Sequence, residues 1–234
     1  MISAAKFGAE AFAEAWRIIK SEFLFATWET IYATLLATLF AVIIGLPLGV
    51  LVVVGEKDGI LPLPKWILAI LNFVINILRS VPFVILVIVV IPFTRLVVGT
   101  SIGTFASIVP LVIAAFPFIA RLVESSLREL NPNIVEMAQS MGASPLQIIV
   151  KVMIPECLPS LLSNLTIAVT TILGYTAMSG IVGGGGLGKI AITYGQARYQ
   201  TVVLLSAVIL LIVLVQIFQT VGTKVSAKSD KRLK

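Results

Sequence analysis

The sequence contains no histidine, only one cysteine and few charged residues. Of its 234 residues, 12% are charged and 59% are hydrophobic, whereas an ordinary soluble domain is about 25% charged. The absence of histidine removes the most common general base and metal ligand, which argues against most hydrolases and metalloenzymes. Cys157 alone can form neither an intramolecular disulfide nor a cysteine-based metal site. The composition therefore predicts an integral membrane protein that binds no metal and is not an enzyme.

Long uncharged apolar runs predict an all-α protein with five transmembrane helices in the lipid bilayer. A spanning helix needs roughly 20 predominantly apolar residues. The second run is short, but its flanking Arg79 and Arg95 can extend to the membrane interface. The predicted spans cover residues 28–54, 80–98, 104–122, 157–181 and 200–222. Two further stretches, the amphipathic residues 3–25 and the apolar residues 66–78, are predicted to lie at the membrane surface.

Lysine and arginine predict the orientation, because cytoplasmic loops of membrane proteins carry an excess of them. The loops on the C-terminal side hold eleven of these residues and the other loops hold six, which accounts for all 17. We therefore predict an extracytoplasmic N-terminal segment (1–26), a transmembrane domain (27–223) and a basic cytoplasmic tail (224–234). The formal net charge of +6 is explained by these loops, so we expect no nucleic-acid partner.

Residues 181–189 read IVGGGGLGK and partly fit two nucleotide-binding motifs. Those motifs have physical meaning only between a strand and a helix, whereas this run follows a predicted membrane helix, and Ile190 stands where a phosphate loop needs a hydroxyl. Two interpretations are left. The run is either a flexible loop or a re-entrant, pore-mouth turn in which glycine permits close backbone approach. Its extracytoplasmic glycines are Gly183, Gly184, Gly185, Gly186 and Gly188.

The connection between the third and fourth spans contains clear helix boundaries. Asn131 before Pro132 predicts an N-cap and a first-turn proline, and Gly142 predicts the C-terminal end of the same helix. Ser144 before Pro145 predicts a second helix start. The first helix, of about ten residues, is too short to be stable alone. It therefore needs a partner surface, either the membrane or a groove in another protein.

The residues of this loop resemble a family signature. EMAQSMG at 136–142 followed by VMIP at 152–155 is similar to E-A-A-x3-G-x9-I-x-L-P, with conservative departures at three apolar positions. That signature belongs to permease subunits of bacterial binding-protein-dependent ABC importers. The strings LRSVPF, IPFTRLVVGTSIG and GYTAMSGIVGGGGLG resemble the methionine-importer permeases in particular.

The resemblance implies the type I ABC importer permease fold, a homodimer and two cytoplasmic ABC ATPase subunits in the bacterial cytoplasmic (inner) membrane. An extracytoplasmic methionine-binding protein or lipoprotein would deliver the substrate. Methionine, in both L and D forms, would cross by alternating access driven by the ATPase. ATP and Mg would bind the ATPase, and this chain would bind no cofactor.

The resemblance also implies that residues 131–147 hold the coupling helix, which docks into a groove of the ATPase. The implied coupling residues are Glu136, Met137, Ala138, Met141, Gly142 and Pro155. A solvated surface carboxylate is the alternative for Glu136. In the fourth span we predict a translocation path or gate at Tyr175, Met178 and Ser179, although helix packing also explains small and hydroxylated residues there.

Two other functions stay open at this stage. The first is the same importer architecture with another amino acid or a small peptide as its substrate. The second is an ion-coupled secondary transporter, which usually places an ionisable residue within the membrane. By construction the uncharged runs contain none, and this argues against ion coupling. They lie between Glu29 and Glu56, Arg79 and Arg95, Arg95 and Arg121, Glu156 and Lys189, and Arg198 and Lys224.

Overall fold

The computed structural model describes residues 9–230 of the chain, with side chains from Phe12 onward, and this part is almost entirely helical. The first residues of the predicted surface segment and the last four residues of the predicted basic tail lie outside it. The principal helices are α1 (Ala9–Ile18), α2 (Leu24–Val54), α3 (Lys65–Ser80), α4 (Phe83–Val98), α5 (Thr104–Arg128), α6 (Pro132–Ser140), α7 (Pro145–Ile148), α8 (Ile154–Glu156), α9 (Leu158–Ser179), α10 (Gly186–Ile190) and α11 (Thr201–Ser229).

The chain divides into two compact units, and all but one of the boundaries between them fall within long helices. Among the described residues, the first unit contains those up to Thr38, Pro82–Val112 and Val169–Phe218, and the second contains Leu39–Val81, Ile113–Ala168 and those from Gln219 onward. Four helical stretches are long and apolar enough to cross a membrane: Phe12–Val54, Thr104–Arg128, Leu158–Val182 and Thr201–Ser229. Helices α3 and α4 provide a fifth candidate span if they are counted as one broken span.

Two local features separate the observed helices from the predicted spans. Helix α1 continues through a π-helical turn at Ile19–Phe23 into α2, because residues 9–44 contain neither glycine nor proline to stop a helix. The chain is therefore helical through residue 26, where the sequence suggested a boundary. Between α3 and α4, Val81 is extended (φ −81°, ψ 124°), since the following proline disfavours helical backbone in the residue before it.

The core of the first unit is apolar and joins the N-terminal helices to the two C-terminal ones. Ala15, Ile18 and Phe23 pack in one buried cluster with Leu187 and Val203. Both Leu187 and Val203 are completely buried. The short helix α10 is thus fixed by its side chains to the unit's core.

In the second unit, α2 packs closely against α5 through two glycines one helical turn apart. A Cβ atom on Gly45 would lie 2.7 Å from the carbonyl oxygen of Phe116, and one on Gly49 would lie 2.5 Å from that of Ala120. Small residues at this spacing allow membrane helices to approach backbone to backbone.

Replacing Gly49 with alanine is expected to destabilise the protein by about 1–3 kcal/mol, because the added methyl group overpacks this crossing. Its Cβ would also lie 2.7 Å from Cβ of Val123. Thermal unfolding in detergent would measure the loss. An unchanged melting temperature would show that the two helices do not cross this closely.

Candidate functional site

Helix α6 is bounded by caps at both ends. The side chain of Asn131 accepts a hydrogen bond from the backbone N–H of Asn133 at 3.0 Å, and Pro132 occupies the first turn. At the other end Gly142 has φ +78°. Its N–H donates to the carbonyl of Gln139, and the N–H of Ala143 donates to that of Ala138, at 2.9 and 3.1 Å. These two bonds form a Schellman motif. The predicted N-cap and C-terminal glycine are confirmed.

The second helix start is also confirmed, and it leads into α9 through an irregular stretch. Ser144 and Gln147 form a reciprocal capping box, with Pro145 in the first turn. A π-helical turn covers Ile149–Met153, and the helix is interrupted at Cys157. Pro155 lies within this stretch and is exposed. The connection from α6 to α9 is therefore short, capped and largely helical.

The implied coupling residues of α6 point in two directions. Glu136, Met137 and Met141 are exposed, the two methionines by 60% and 81%. Ala138 is only 8% exposed and turns inward. The small alanine therefore allows close packing of α6 on its own chain, whereas Glu136 and the two methionines form a surface that has no partner within the described residues. Exposed apolar groups beside a charge are typical of a protein–protein contact.

A network of charged and amide side chains fixes the end of α5, just before α6. Arg128 donates to Glu56 at 2.6 Å and to Glu124 at 2.9 Å. Arg121 also contacts Glu124, and it donates to Asn72 at 2.8 Å. Glu124 is 9% exposed, so its charge is stabilised by both arginines. The network joins α3, α5 and the loop after α2.

A groove of about 600 Å³ lies beside α6. Its lining includes Val135, Glu136 and Gln139 of α6 and the loop residues Asp58 and Ile60. The groove combines carboxylates with apolar side chains, which suits an inserted basic side chain with an aliphatic stem.

The glycine run is a tightly packed turn, and the interpretation as a flexible loop is wrong. After α9, one 3₁₀ turn covers Gly180–Val182, and Gly183 has φ +88°. A Cβ on Gly180 would lie 2.5 Å from the backbone of Gly188, and a Cβ on Gly188 would lie 2.1 Å from the carbonyl oxygen of Ala177. The run therefore allows the backbone of α10 to touch the end of α9, as the alternative interpretation expected.

Glu29 and Thr30 bind the start of α10 directly. The backbone N–H groups of Gly186 and Leu187 donate to the Glu29 carboxylate and the Thr30 hydroxyl, each at 2.9 Å. The hydroxyl of Thr104 donates to the other oxygen of Glu29 at 2.6 Å. We call Glu29, Thr30 and Thr104 the glycine clamp. A Cβ on Gly185 would lie 1.8 Å from the hydroxyl oxygen of Thr104, so the clamp closes only on glycine.

The sequence did not reveal the glycine clamp. Glu29 entered the prediction only as the boundary of the first apolar run, yet it lies inside the continuous candidate span Phe12–Val54. A carboxylate inside such a helix needs hydrogen-bond donors, and Glu29, which directly borders the uncharged part, could have been singled out by this signal. Its donors, Gly186 and Thr104, are 157 and 75 residues away in sequence, so their identity could not be predicted.

Replacing Glu29 with alanine is expected to destabilise the first unit by about 1–3 kcal/mol, because the N–H of Gly186 and the Thr104 hydroxyl lose their acceptor. Glu29→Gln keeps one carbonyl oxygen and is expected to lose roughly half as much. Thermal unfolding of both variants in detergent measures the difference. Equal melting temperatures for Glu29→Ala and the wild-type protein would contradict the assignment of the clamp.

The predicted path residues of α9 have different surroundings. The ring of Tyr175 stacks on Phe83, with 4.7 Å between centroids and 6° between planes. Met178 is 41% exposed, whereas Ser179 is 2% exposed. The Ser179 hydroxyl donates to the carbonyl of Thr176 at 2.7 Å, and its own carbonyl accepts from the N–H of Gly184. Only Met178 of the three presents an open side chain, and Ser179 helps to position the glycine run.

Residues 45–224 match the family described as binding-protein-dependent transport system inner membrane component. The probable D-methionine transport system permease protein MetI of Vibrio cholerae is 49% identical over 221 residues, which are 93% of this chain and 96% of the relative. The D-methionine transport system permease protein MetI of Escherichia coli K12 is 44% identical over 153 residues, covering 65% and 70% of the two chains.

The fold of the chain also matches solved structures of ABC transporters. A native crystal form of the MetNI methionine ABC transporter in inward facing conformations superposes with a TM-score of 0.87 at 42% identity, covering 89% of this chain and 96% of that one. A solved amino acid ABC transporter shares the fold alone, with a TM-score of 0.67 at 17% identity over 95% and 97% of the chains.

Proposed function

The chain belongs to the family of binding-protein-dependent transport system inner membrane components, and from this we propose that it forms the membrane pathway of an ATP-driven methionine importer. The all-α, type I ABC importer permease fold predicted from the sequence is confirmed by the superposition at a TM-score of 0.87. The chain is a transport component of the inner membrane and not an enzyme.

Methionine is the proposed substrate because the relatives that cover nearly the whole chain are D-methionine permeases and the 42% identical structure is a methionine transporter. We extend the proposal to both L- and D-methionine. Two copies of the chain would enclose the path, with a separate extracytoplasmic methionine-binding protein or lipoprotein delivering the substrate. Two ATPase subunits would hold ATP and Mg, and this chain would bind no cofactor.

The proposal that α6 couples this chain to the ATPase rests on the exposed surface of that helix. Glu136, Met137 and Met141 are presented by a helix that is capped at both ends and joined to α5 and α7 by short turns. In our proposal this surface docks into a groove of the ATPase, where Glu136 meets a basic side chain. Because the caps and the network at Arg128 and Glu124 hold the helix ends, α6 moves as one body when the ATPase subunits close.

The path itself is proposed to run along the exposed side of α9. Gly174 and Met178 are exposed and lie four residues apart, which places them on one stripe of the helix. Met178 supplies an apolar, adaptable side chain on this stripe. Tyr175 supports it from the side through its stacking on Phe83.

The proposed topology places α6 in the cytoplasm and the glycine run outside, facing the binding protein. Its support is the distribution of lysine and arginine, eleven on the C-terminal side and six on the other. The N-terminus would then be extracytoplasmic and the basic tail cytoplasmic.

Uptake of radiolabelled methionine into proteoliposomes tests the proposal. The vesicles would contain this chain and its ATPase, with ATP inside and the binding protein outside. We expect uptake that requires both ATP and the binding protein and that unlabelled methionine inhibits better than other amino acids do. ATP hydrolysis stimulated by a different ligand would support the importer mechanism but show that methionine is not the substrate. Uptake driven by an ion gradient without ATP would overturn the proposal.

A further inference from the structure

A cavity of about 500 Å³ lies in the first unit, beside the glycine clamp but outside the proposed transport path. Its wall contains two carboxylates, Glu22 and Glu29, and one ammonium group, that of Lys189. Phe25 and Tyr194 also line the cavity. The proposed function uses none of Glu22, Lys189 and Tyr194.

Two hydrogen bonds define the length of the cavity. The hydroxyl of Tyr194 donates to Glu22, and the N–H of Gly186 donates to Glu29. Tyr194 follows Gly186 in the chain, but its partner Glu22 precedes Glu29, so the segments 22–29 and 186–194 run antiparallel. Glu22 and Glu29 are seven residues apart, which corresponds to roughly 10 Å along a helix. Lys189 follows Gly186 by three residues and therefore lies between the two bonds.

The charges in this cavity are available to a ligand. A carboxylate can accept about four hydrogen bonds, and Glu22 accepts one, from Tyr194. Lys189 is exposed and takes part in none of the ion pairs among residues 12–230. The hydrogen bond to Glu22 raises the pKa of Tyr194, so its hydroxyl stays protonated as a donor. The cavity is thus lined by both an anionic group and a cationic group.

The surface around the cavity is apolar. Leu24, Phe25 and Trp28 are 84%, 66% and 61% exposed. In a spanning helix such residues face lipid, and tryptophan is enriched at the depth of the headgroups. A polar cavity beside these residues is therefore accessible to the headgroup of a membrane lipid.

We propose that this cavity binds the zwitterionic headgroup of a phospholipid that carries a primary ammonium and a phosphate. The ammonium donates to the Glu22 carboxylate, the phosphate lies against Lys189, and the acyl chains lie along Phe25 and Leu24. A primary ammonium is required because a trimethylated one has no N–H to donate. A free α-amino acid carries the same pair of charges, but the exposed apolar surface favours the lipid.

Native mass spectrometry of the full-length chain with its partner subunits tests this site. The probes are phosphatidylethanolamine, phosphatidylcholine and phosphatidylglycerol with identical acyl chains. We expect phosphatidylethanolamine to bind about tenfold more tightly than the other two, as one charge-assisted hydrogen bond would provide. Glu22→Gln should remove this preference. Lys189→Gln should weaken the binding of all three lipids, since each of them carries the phosphate. Lys189→Arg should keep both the binding and the preference, and so should Glu14→Gln, which changes an exposed carboxylate on α1.

Three results would overturn the proposal. The first is equal binding of the three lipids to the wild-type protein. The second is an unchanged preference in Glu22→Gln, provided that its melting temperature matches that of Glu14→Gln. The third is displacement of phosphatidylethanolamine by free methionine, which would assign the cavity to an amino acid instead of a lipid.

Discussion

Replacing Gly188 with alanine is expected to lower the stability of the protein by at least about 3 kcal/mol, the upper end of the cost of overpacking. The new methyl group would lie 2.1 Å from the carbonyl oxygen of Ala177 and 2.7 Å from its Cα. Neither backbone can retreat easily, because α10 is held by the glycine clamp and by the buried Leu187. Thermal unfolding in detergent should show a melting temperature lower by roughly 6–12 °C.

Gly174 provides a matched control on the neighbouring helix. Apart from its chain neighbours and the nearby backbone of its own helix, a Cβ there meets no atom within 4 Å. Since alanine is a better helix former than glycine by about 1 kcal/mol, Gly174→Ala is expected to leave the melting temperature unchanged or raise it slightly. If both variants melted at the same temperature, the close contact between α9 and α10 would be refuted.

Replacing both Met137 and Met141 with lysine is expected to weaken association with the ATPase by about 100-fold or more. Burying a methionine in an interface contributes about 1.5–3 kcal/mol, and 1.4 kcal/mol corresponds to a factor of ten in affinity. Both side chains are mostly exposed, 60% and 81%, so the double variant should fold and insert normally. Co-purification with the ATPase and ATP-dependent uptake would measure the loss.

The double leucine variant is the control for this prediction. Leucine keeps the apolar contact and nearly the same volume, so Met137→Leu with Met141→Leu should retain most of the association. If the lysine variant bound the ATPase as tightly as the leucine variant, the exposed surface of α6 would not be the docking site.

The sequence predicted the local structure of α6 because its signals lie within a few residues of the structure they determine. Asn131, Gly142 and Ser144 act on backbone groups two to five residues away. The sequence did not determine which face of α6 packs on the rest of the chain. Ile134, Met137, Ala138 and Met141 have helical spacing, but the structure turns Ala138 inward and leaves both methionines exposed, because α6 packs on its own chain with its small residue.

Long-range contacts account for what the sequence could not predict. The glycine clamp joins Glu29 to Gly186 across 157 positions. Arg121 reaches Asn72 across 49 positions. Periodicity gives the faces of a helix, but it does not say which distant polar group will satisfy a buried donor or charge.

The glycine run illustrates the same limit. Its composition permits either flexibility or close approach, and composition alone cannot distinguish them. A Cβ atom on Gly180 or on Gly188 would lie within 3 Å of neighbouring backbone atoms, which shows that these glycines permit close approach. Those neighbours could be identified only once the fold had brought the end of α9 against α10.

A photo-crosslinking amino acid placed at position 141 or at position 199 tests the central claim, which is that α6 docks on the ATPase in the cytoplasm. Met141 and Tyr199 are equally exposed, at 81% and 78%, but the proposed topology puts them on opposite sides of the membrane. We predict a crosslink to the ATPase from position 141 and none from position 199. A crosslink from position 199 only, or from neither position in a complex that retains its ATPase, would contradict the proposal.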